Sequence, residues 1–410
     1  MIFMAATCEG RFIYHGAAYD LKPLSPPEID PNHILAAASG LERAILDEHP
    51  GLISAVQFET DRIPDFPAPL TCRAEEVQPG SRILLMRAGG IGDLIMLTPA
   101  IREMKSRLKD SATIILATYA DYADIFCDLA DRIIPYPVTL SQLLQDADYF
   151  VEFDDPKDLF ETGEMTDYYL DCLGMDPQTI DAESKKPRIP AAMASSDRIK
   201  QALKRIPGRI RIFYAGGASD RIRYLPRRIL EGLARSYPEI SFVVPGESGV
   251  SLPNIFTIDT SGGLSEYVTA IAGCDAVIST DSSAYHIAAA FDIPALVFFG
   301  PISSAIRTGY YPKVVALDAD YRGETCTSPC GISTIRRRTR LRKPLGKNQV
   351  TVFEEGTVIN TFSGRTFSYD PEKGCPESCA LNSSTSPCIE AFTDERVLAG
   401  FKNLLEHIES

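Results

Sequence analysis

The stretch with the densest chemistry is 82–105, R-I-L-L-M-R-A-G-G-I-G-D-L-I-M-L-T-P-A-I-R-E-M-K, in which Gly89, Gly90 and Gly92 run directly into Asp93. Glycines at such a turn let the main chain come close to a phosphate or a sugar and aim helix amides at it. The pattern lacks the third glycine of a dinucleotide fingerprint and the lysine of a P-loop. What sharpens it is the carboxylate. The apolar run 83–86 reads as a buried parallel strand, and Leu94, Leu97, Ile101 and Met104 fall at helical spacing after the turn. Asp93 then stands at the C-terminal edge of a sheet, where open α/β sheets bind ligands. A packing turn with an incidental Asp is the plain alternative.

The cysteines form the second concentration. Cys8, Cys72, Cys127, Cys172 and Cys274 are scattered, whereas Cys326, Cys330, Cys375, Cys379 and Cys388 crowd into the last 85 residues. In a reducing compartment such a cluster suggests a metal site more than disulfides. Thiolates in fours suit Zn²⁺ or iron.

The elements that must carry these groups alternate. Strands are expected at 83–86, 112–117, 133–136 and 149–153, with helices at 140–147 and 168–173. An acidic loop holds Asp154, Asp155, Asp158, Glu161 and Glu164, and reads as a solvated face. After a helix and hinge at 195–208, a second alternating half follows. Its strands end at Gly216-Gly217, at Pro245-Gly246-Glu247, at Thr280-Asp281-Ser282-Ser283 and at Gly300-Pro301. Two such halves make two facing Rossmann-like domains with a cleft between them. Residues 1–80 are less readable: a strand and turn over 11–19, proline-marked linkers and a helix over 34–46. They read as an appended N-terminal subdomain.

The 410 residues allow two to three domains. A net charge of −14 argues against broad nucleic-acid binding. No apolar run approaches the roughly 20 residues of a membrane span. The N-terminus has no basic n-region and too short an apolar core for a signal peptide. A cytoplasmic protein is expected.

The motif Arg87-x-Gly89-Gly90-Ile91-Gly92-Asp93, with Thr98-Pro99-Ala100 after it, resembles the N-terminal motif of the ADP-heptose heptosyltransferases, glycosyltransferase family nine. The stretch from Asp281-Ser282-Ser283-Ala284-Tyr285-His286 through Ala290, then Pro294 and Phe299-Gly300-Pro301, resembles its C-terminal signature more closely. The resemblance implies an α/β GT-B fold: a Rossmann-like acceptor domain over 81–195 and a nucleotide-sugar donor domain over 196–320. It implies Asp93 as the base that takes the acceptor hydroxyl proton. It implies Asp281 on the donor sugar, Ser282 and Ser283 on the diphosphate at a helix N-terminus, and Glu247 on the nucleoside. His286 falls near the first turn of that helix, as a donor contact or a core histidine. Arg223 stands where the family has a lysine, and Leu225 where it has a tryptophan; Arg keeps the charge and adds a bidentate fork. Gly90, Gly92, Gly216, Gly217, Gly300 and Pro301 complete the donor set. Arg223, the amides after Asp281 and the Gly300-Pro301 turn would compensate the leaving diphosphate without a catalytic metal.

Cys326-x-x-x-Cys330, Cys375 and Cys388 resemble the family's cysteine tail, with Cys379 as a possible substitute ligand. The branch that modifies autotransporter proteins holds iron with such cysteines. Between them lies an insertion, 331–373, with nine basic and four acidic residues and a hairpin expected over 350–353 and 357–362. It suits an acidic acceptor, a neighbouring subunit of a homo-oligomer, or plain solvent. Residues 321–390 thus read as a metal segment and 391–410 as a C-terminal helix.

The expectation is an inverting transfer of a sugar, most plausibly heptose from ADP-heptose, to a hydroxyl of lipopolysaccharide core. Protein Ser/Thr hydroxyls are the rival acceptor. A silent nucleotide-sugar-binding or assembly protein is the rival of another class, against which the intact Asp93 speaks.

Overall fold

The computed structural model describes residues 1–24, 30–37, 45, 46, 48, 49, 53–56, 65–70, 76–153, 163–219, 221–322, 328, 329 and 386–409, and the backbone of 350–352, 358–360 and 367–369. The chain divides into two compact units, Met1–Asp158 with Thr166–Lys185, and Leu159–Met165 with Lys186–Ser410.

In the first unit β1 (Ile2–Ala6), β2 (Gly10–Tyr14), β3 (Ala17–Leu21), β4 (Ile34–Ala37) and β5 (Ile53–Val56) precede the Rossmann-like part. There follow β6 (Ala68–Pro69), β7 (Arg82–Met86), helix α1 (Ile91–Leu108), β8 (Thr113–Thr118), β9 (Arg132–Pro135), β10 (Val138–Thr139), α2 (Leu140–Asp146), β11 (Tyr149–Glu152) and α3 (Met165–Cys172). The parallel sheet runs β6-β11-β7-β8-β9. Strand order reverses between β7 and β11, so the turn after β7 opens onto a topological switch point. Arg82 fixes the start of this pair: its guanidinium meets Asp148 at 2.7 Å, and its backbone N–H donates to the same carboxylate. That pairing holds the Asp148 pKa below its ordinary value.

Helix α1 carries Pro99 in its interior. Proline has no N–H to give to the carbonyl four residues back. The Thr98 hydroxyl donates to that carbonyl, Ile95 O, at 2.8 Å.

The N-terminal strands are covering material for the sheet. β1 lies between β4 and β5 in an antiparallel sheet, and β10 pairs with β4 at its edge. Their core is shared with the β7 and β8 residues of one face: Met4, Ile34 and Leu35 belong to the same cluster as Leu84, Met86, Ile115 and Ala117. The helix expected from residue 34 is instead strand β4 over its first four residues, all buried. A short apolar run has no period to separate the two. The strand and turn expected over 11–19 are part of a hairpin, β2 paired with β3.

In the second unit come α4 (Asp197–Lys204), β12 (Arg211–Ala215), α5 (Arg227–Ser236), β13 (Ser241–Pro245), β14 (Ile255–Ile258), α6 (Leu264–Ala272), β15 (Ala276–Thr280), α7 (Ser283–Ala290), β16 (Ala295–Phe299) and β17 (Val314–Asp318). The six strands are parallel in the order β14-β13-β12-β15-β16-β17. This is the dinucleotide-fold order 3-2-1-4-5-6, and its switch point lies between β12 and β15. The three strands β18 (Val350–Val352), β19 (Val358–Asn360) and β20 (Phe367–Tyr369) pair antiparallel. The first two are the expected hairpin; the third was not anticipated. The acidic loop from Asp154 to Glu161 lies outside the described residues.

The chain ends in α8 (Pro387–Glu390) and α9 (Asp394–Glu409). Phe392, Val397, Phe401 and Leu404 join Ile229, Leu233, Phe242 and Phe298 in one core. A Cβ on Gly400 would come within 2.9 Å of Leu317 and 3.0 Å of Leu296, so α9 approaches the sheet as closely as a backbone allows. No helix among the described residues is long and apolar enough to cross a membrane.

Because the N-terminal strands share the core of the β7–β8 face, truncation in β4 should unfold the whole unit. Leu35→Ala, at a fully buried site, is expected to cost about 2–5 kcal/mol. Denaturant unfolding followed by a probe in α1 checks it; a normal midpoint there would mean the strands fold apart from the sheet.

Candidate active site

At the first switch point, Gly90 is the residue before α1, and Asp93 sits in the helix's first turn, one-third exposed. A carboxylate there is favoured by the unpaired helix amides. Its neighbour is Arg87, at the end of β7 and almost wholly buried. The Arg87 guanidinium lies 3.3 Å from Asp93 Oδ2, donates to Tyr169 Oη at 3.2 Å and to Ala88 O at 2.6 Å. Burial works against this charge, but Tyr169 and Asp93 outweigh it and raise the Arg87 pKa above its ordinary value. Gly89 has φ +137°, and a Cβ there would lie 3.3 Å from the guanidinium nitrogens. The glycine is therefore what lets the turn wrap the buried arginine.

At the second switch point, the loop after β12 folds back over the end of β15. Gly216 must be small: a Cβ would come within 2.7 Å of the Tyr214 ring. Leu225 N–H donates to Gly216 O at 2.8 Å and closes the loop. This delivers Arg223 to Asp281. One guanidinium nitrogen donates to Asp281 O at 2.6 Å and lies 3.3 Å from Asp281 Oδ2. The other donates to Ser219 Oγ at 2.8 Å. Arg223 Nε is buried and has no partner among the described residues. Asp281, 4% exposed, receives the Tyr285 hydroxyl on Oδ1 at 3.1 Å. Burial, then the Asp281 charge, pushes the Tyr285 pKa well above its usual value, so the phenol stays a donor.

The remaining donor candidates divide. Ser282 hydrogen-bonds Ser279 at 2.9 Å just before α7, and Ser283 is the first residue of that helix. Glu247 is exposed in the turn after β13, beside Gly246 at φ +71°. Gly217 follows Gly216 at the end of β12. His286 is buried, with Nδ1 2.8 Å from Tyr311 Oη. Gly300 and Pro301 follow β16. Asp93, Gly90 and Gly92 belong to the first unit, and the other candidates named here to the second.

Of the predicted metal ligands, Cys326, Cys330, Cys375 and Cys379 lie outside the described residues. Among the described residues no group of three or more His, Cys, Asp or Glu could hold a metal ion. Cys388 is buried in α8. A Cβ on Gly300 would meet Cys388 Sγ at 3.0 Å and Ile389 at 2.7 Å. Ser328, between Cys326 and Cys330 in sequence, donates its hydroxyl to Gly300 O. Ser328 and Cys388 thus both lie against Gly300.

Sequence reading missed Tyr285, Thr280, Ser219 and Ser386 as members of this site. Tyr285 stands four residues after Asp281, a spacing that could have flagged it. The others act through folds of the chain that leave no local trace.

Residues 257–330 match the family model for glycosyltransferase family 9 (heptosyltransferase). No curated protein matches the chain by sequence. Among solved structures, the glycosyl transferase family 9 protein of Veillonella parvula aligns at 12% identity and TM-score 0.53, over 81% of this chain and 99% of that one. The ADP-heptose lps heptosyltransferase II of E. coli gives 13% identity and TM-score 0.53, over 80% and 100%. The iron-containing dodecameric glycosyltransferase TibC of enterotoxigenic E. coli gives 12% identity and TM-score 0.52, over 80% and 78%. The matched segment holds Asp281, Gly300 and Pro301, and the fold is the GT-B type of these enzymes. The chain accordingly shares the fold of these heptosyltransferases, and its segment 257–330 is similar to glycosyltransferase family 9.

Proposed function

We propose that the chain transfers heptose from ADP-heptose to a hydroxyl acceptor with inversion at the anomeric carbon. The observation that carries this reading is Arg223, fixed at the switch point by Asp281 and Ser219, with a buried Nε that has no partner among the described residues. A guanidinium so held is pre-set for a diphosphate. The similar heptosyltransferases supply the sugar: one is an ADP-heptose enzyme, and TibC is described in complex with ADP-D-β-D-heptose.

In this reading Asp93 accepts the proton of the acceptor hydroxyl as its oxygen forms a bond to the anomeric carbon. The bond from that carbon to the phosphate oxygen breaks, and ADP leaves as an anion. Arg223, the amides after Asp281 and the turn at Gly300-Pro301 neutralise it. Arg87, 3.3 Å away, orients the Asp93 carboxylate. Glu247 takes the nucleoside. Both Asp281 oxygens are engaged, by Tyr285 and Arg223, so its first task is to aim Arg223 rather than to hold the sugar. Lipopolysaccharide core is the first acceptor to try. The cysteine tail, similar to that of the autotransporter-modifying branch, supports a protein Ser/Thr hydroxyl as the second. Cys326, Cys330, Cys375 and Cys388 would hold one Fe or Zn ion, which as a structural cross-link staples the ends of the basic insert.

Asp93→Asn is expected to leave ADP-heptose binding nearly intact and to lower turnover by a factor of roughly 10²–10⁴. Turnover like that of the wild type would take Asp93 out of the mechanism. Arg223→Ala should weaken ADP and ADP-heptose alike by roughly 10- to 100-fold, the worth of hydrogen bonds to a charged group. Calorimetry with both ligands decides it; thermal shift against a panel of nucleotide sugars tests the donor itself.

Elemental analysis should find about one Fe or Zn per chain. Cys326→Ser is expected to lose metal and stability together, and Cys379→Ser to keep both. A metal-free protein of full stability and activity would make these cysteines plain buried thiols.

A further inference from the structure

Ser386 stands at the N-cap of α8, where a serine hydroxyl ordinarily accepts a hydrogen bond from an amide of the first helical turn. Here it makes no such bond. The side chain is 1% exposed, and its hydroxyl instead donates to Ile222 O at 2.6 Å, across 164 residues of chain. Ile222 is the residue before Arg223. The next carbonyl, Arg223 O, accepts the hydroxyl of Thr280, the last residue of β15. The peptide that launches the Arg223 side chain is therefore held on both sides by buried hydroxyls. Two residues beyond Ser386, Cys388 and Ile389 close on Gly300, the other donor turn.

We propose that Ser386 is a positioning residue for Arg223, and that 386–389 form a clamp setting the two donor turns from the far end of the chain. This rests on the reading of Arg223 as the diphosphate-binding group. Ser386 touches no ligand in this scheme. It fixes the carbonyl from which the guanidinium is aimed, so its loss should appear in donor affinity before it appears in the chemical step. The clamp also follows directly upon the cysteine-rich stretch.

The test uses the full chain with ADP as probe. Ser386→Ala is expected to weaken ADP binding roughly tenfold, about what one buried hydrogen bond is worth. KM for ADP-heptose should rise by a similar factor and kcat change little. Asn254→Ala is the comparison. Its amide holds the carbonyls of Ala234, Tyr237 and Ile240 in the same unit and away from the donor turns. It should lower the Tm and leave ADP affinity unchanged. If Ser386→Ala does not fold, Ser386→Cys, of similar shape and a weaker donor, is read in its place. A Ser386 variant that behaves like Asn254→Ala, less stable with ADP affinity intact, overturns the clamp while Arg223→Ala still loses ADP. If the wild type binds no ADP, the reading of Arg223 fails and takes the clamp with it.

Discussion

An ion pair almost out of water, Arg223 with Asp281, sets the terms for the second unit. A buried charge is tolerated only when its partner and its remaining lone pairs are satisfied. Asp281 meets that demand with Arg223 on one oxygen and Tyr285 on the other. Tyr285 can serve only because α7 begins right after β15 and turns its residues back over the strand end. Arg223 can serve only because β12 and β15 are neighbours and the loop between Gly216 and Leu225 crosses from one to the other. Sheet order, glycine size and side-chain pairing are thus one constraint. Changing any of them leaves a carboxylate in the protein interior without compensation.

The first unit solves a parallel problem with different material. Arg87 is more deeply buried than Arg223, and Asp93 balances it while staying partly exposed. An exposed face on a carboxylate is what proton transfer needs, whereas burial on both sides is what aiming a cation needs. The two aspartates differ in that respect although each sits at a strand-to-helix turn. The sheet behind Arg87 is also built differently. One of its faces is covered by antiparallel strands from the start of the chain, which supply Met4, Ile34 and Leu35 to the core. The last strand of that covering layer, β10, comes from between β9 and α2, so the layer and the sheet cannot be separated without breaking main-chain pairing.

Much of this was legible in the sequence where the signal is local. The run Ile83 to Met86 bounded by glycines, and the run ending at Thr280-Asp281, are short, apolar and punctuated, and both are parallel strands with a ligand edge. The stretch 34–37 failed because four buried apolar residues fit either period. Arg87 was visible as a motif letter, but nothing local says that its charge is buried against Tyr169, 82 residues away. His286 was left open between two uses, and its choice turns on Tyr311, which only the packing of β17 and its preceding turn brings near. Ser386 carries a misleading signal: a serine before a proline-initiated helix predicts a cap, and the hydroxyl is used elsewhere.

The family model matches only 257–330, while the fold extends over about four-fifths of the chain at 12–13% identity. In the matched segment individual residues are tied to distant partners: Thr280 to Arg223, Asp281 to Arg223 and Tyr285, Gly300 to Ile389 and Ser328. Few substitutions satisfy such ties. Around β7 and α1 most positions ask only for an apolar residue of suitable size, and many sequences satisfy that. Identity there can fall away while the strand, turn and helix remain. Asp93 lies in that freer half, outside the matched segment. Its proposed role as base therefore rests on where the fold puts it: in the first turn of the helix that opens at the switch point, partly exposed, and beside a buried arginine.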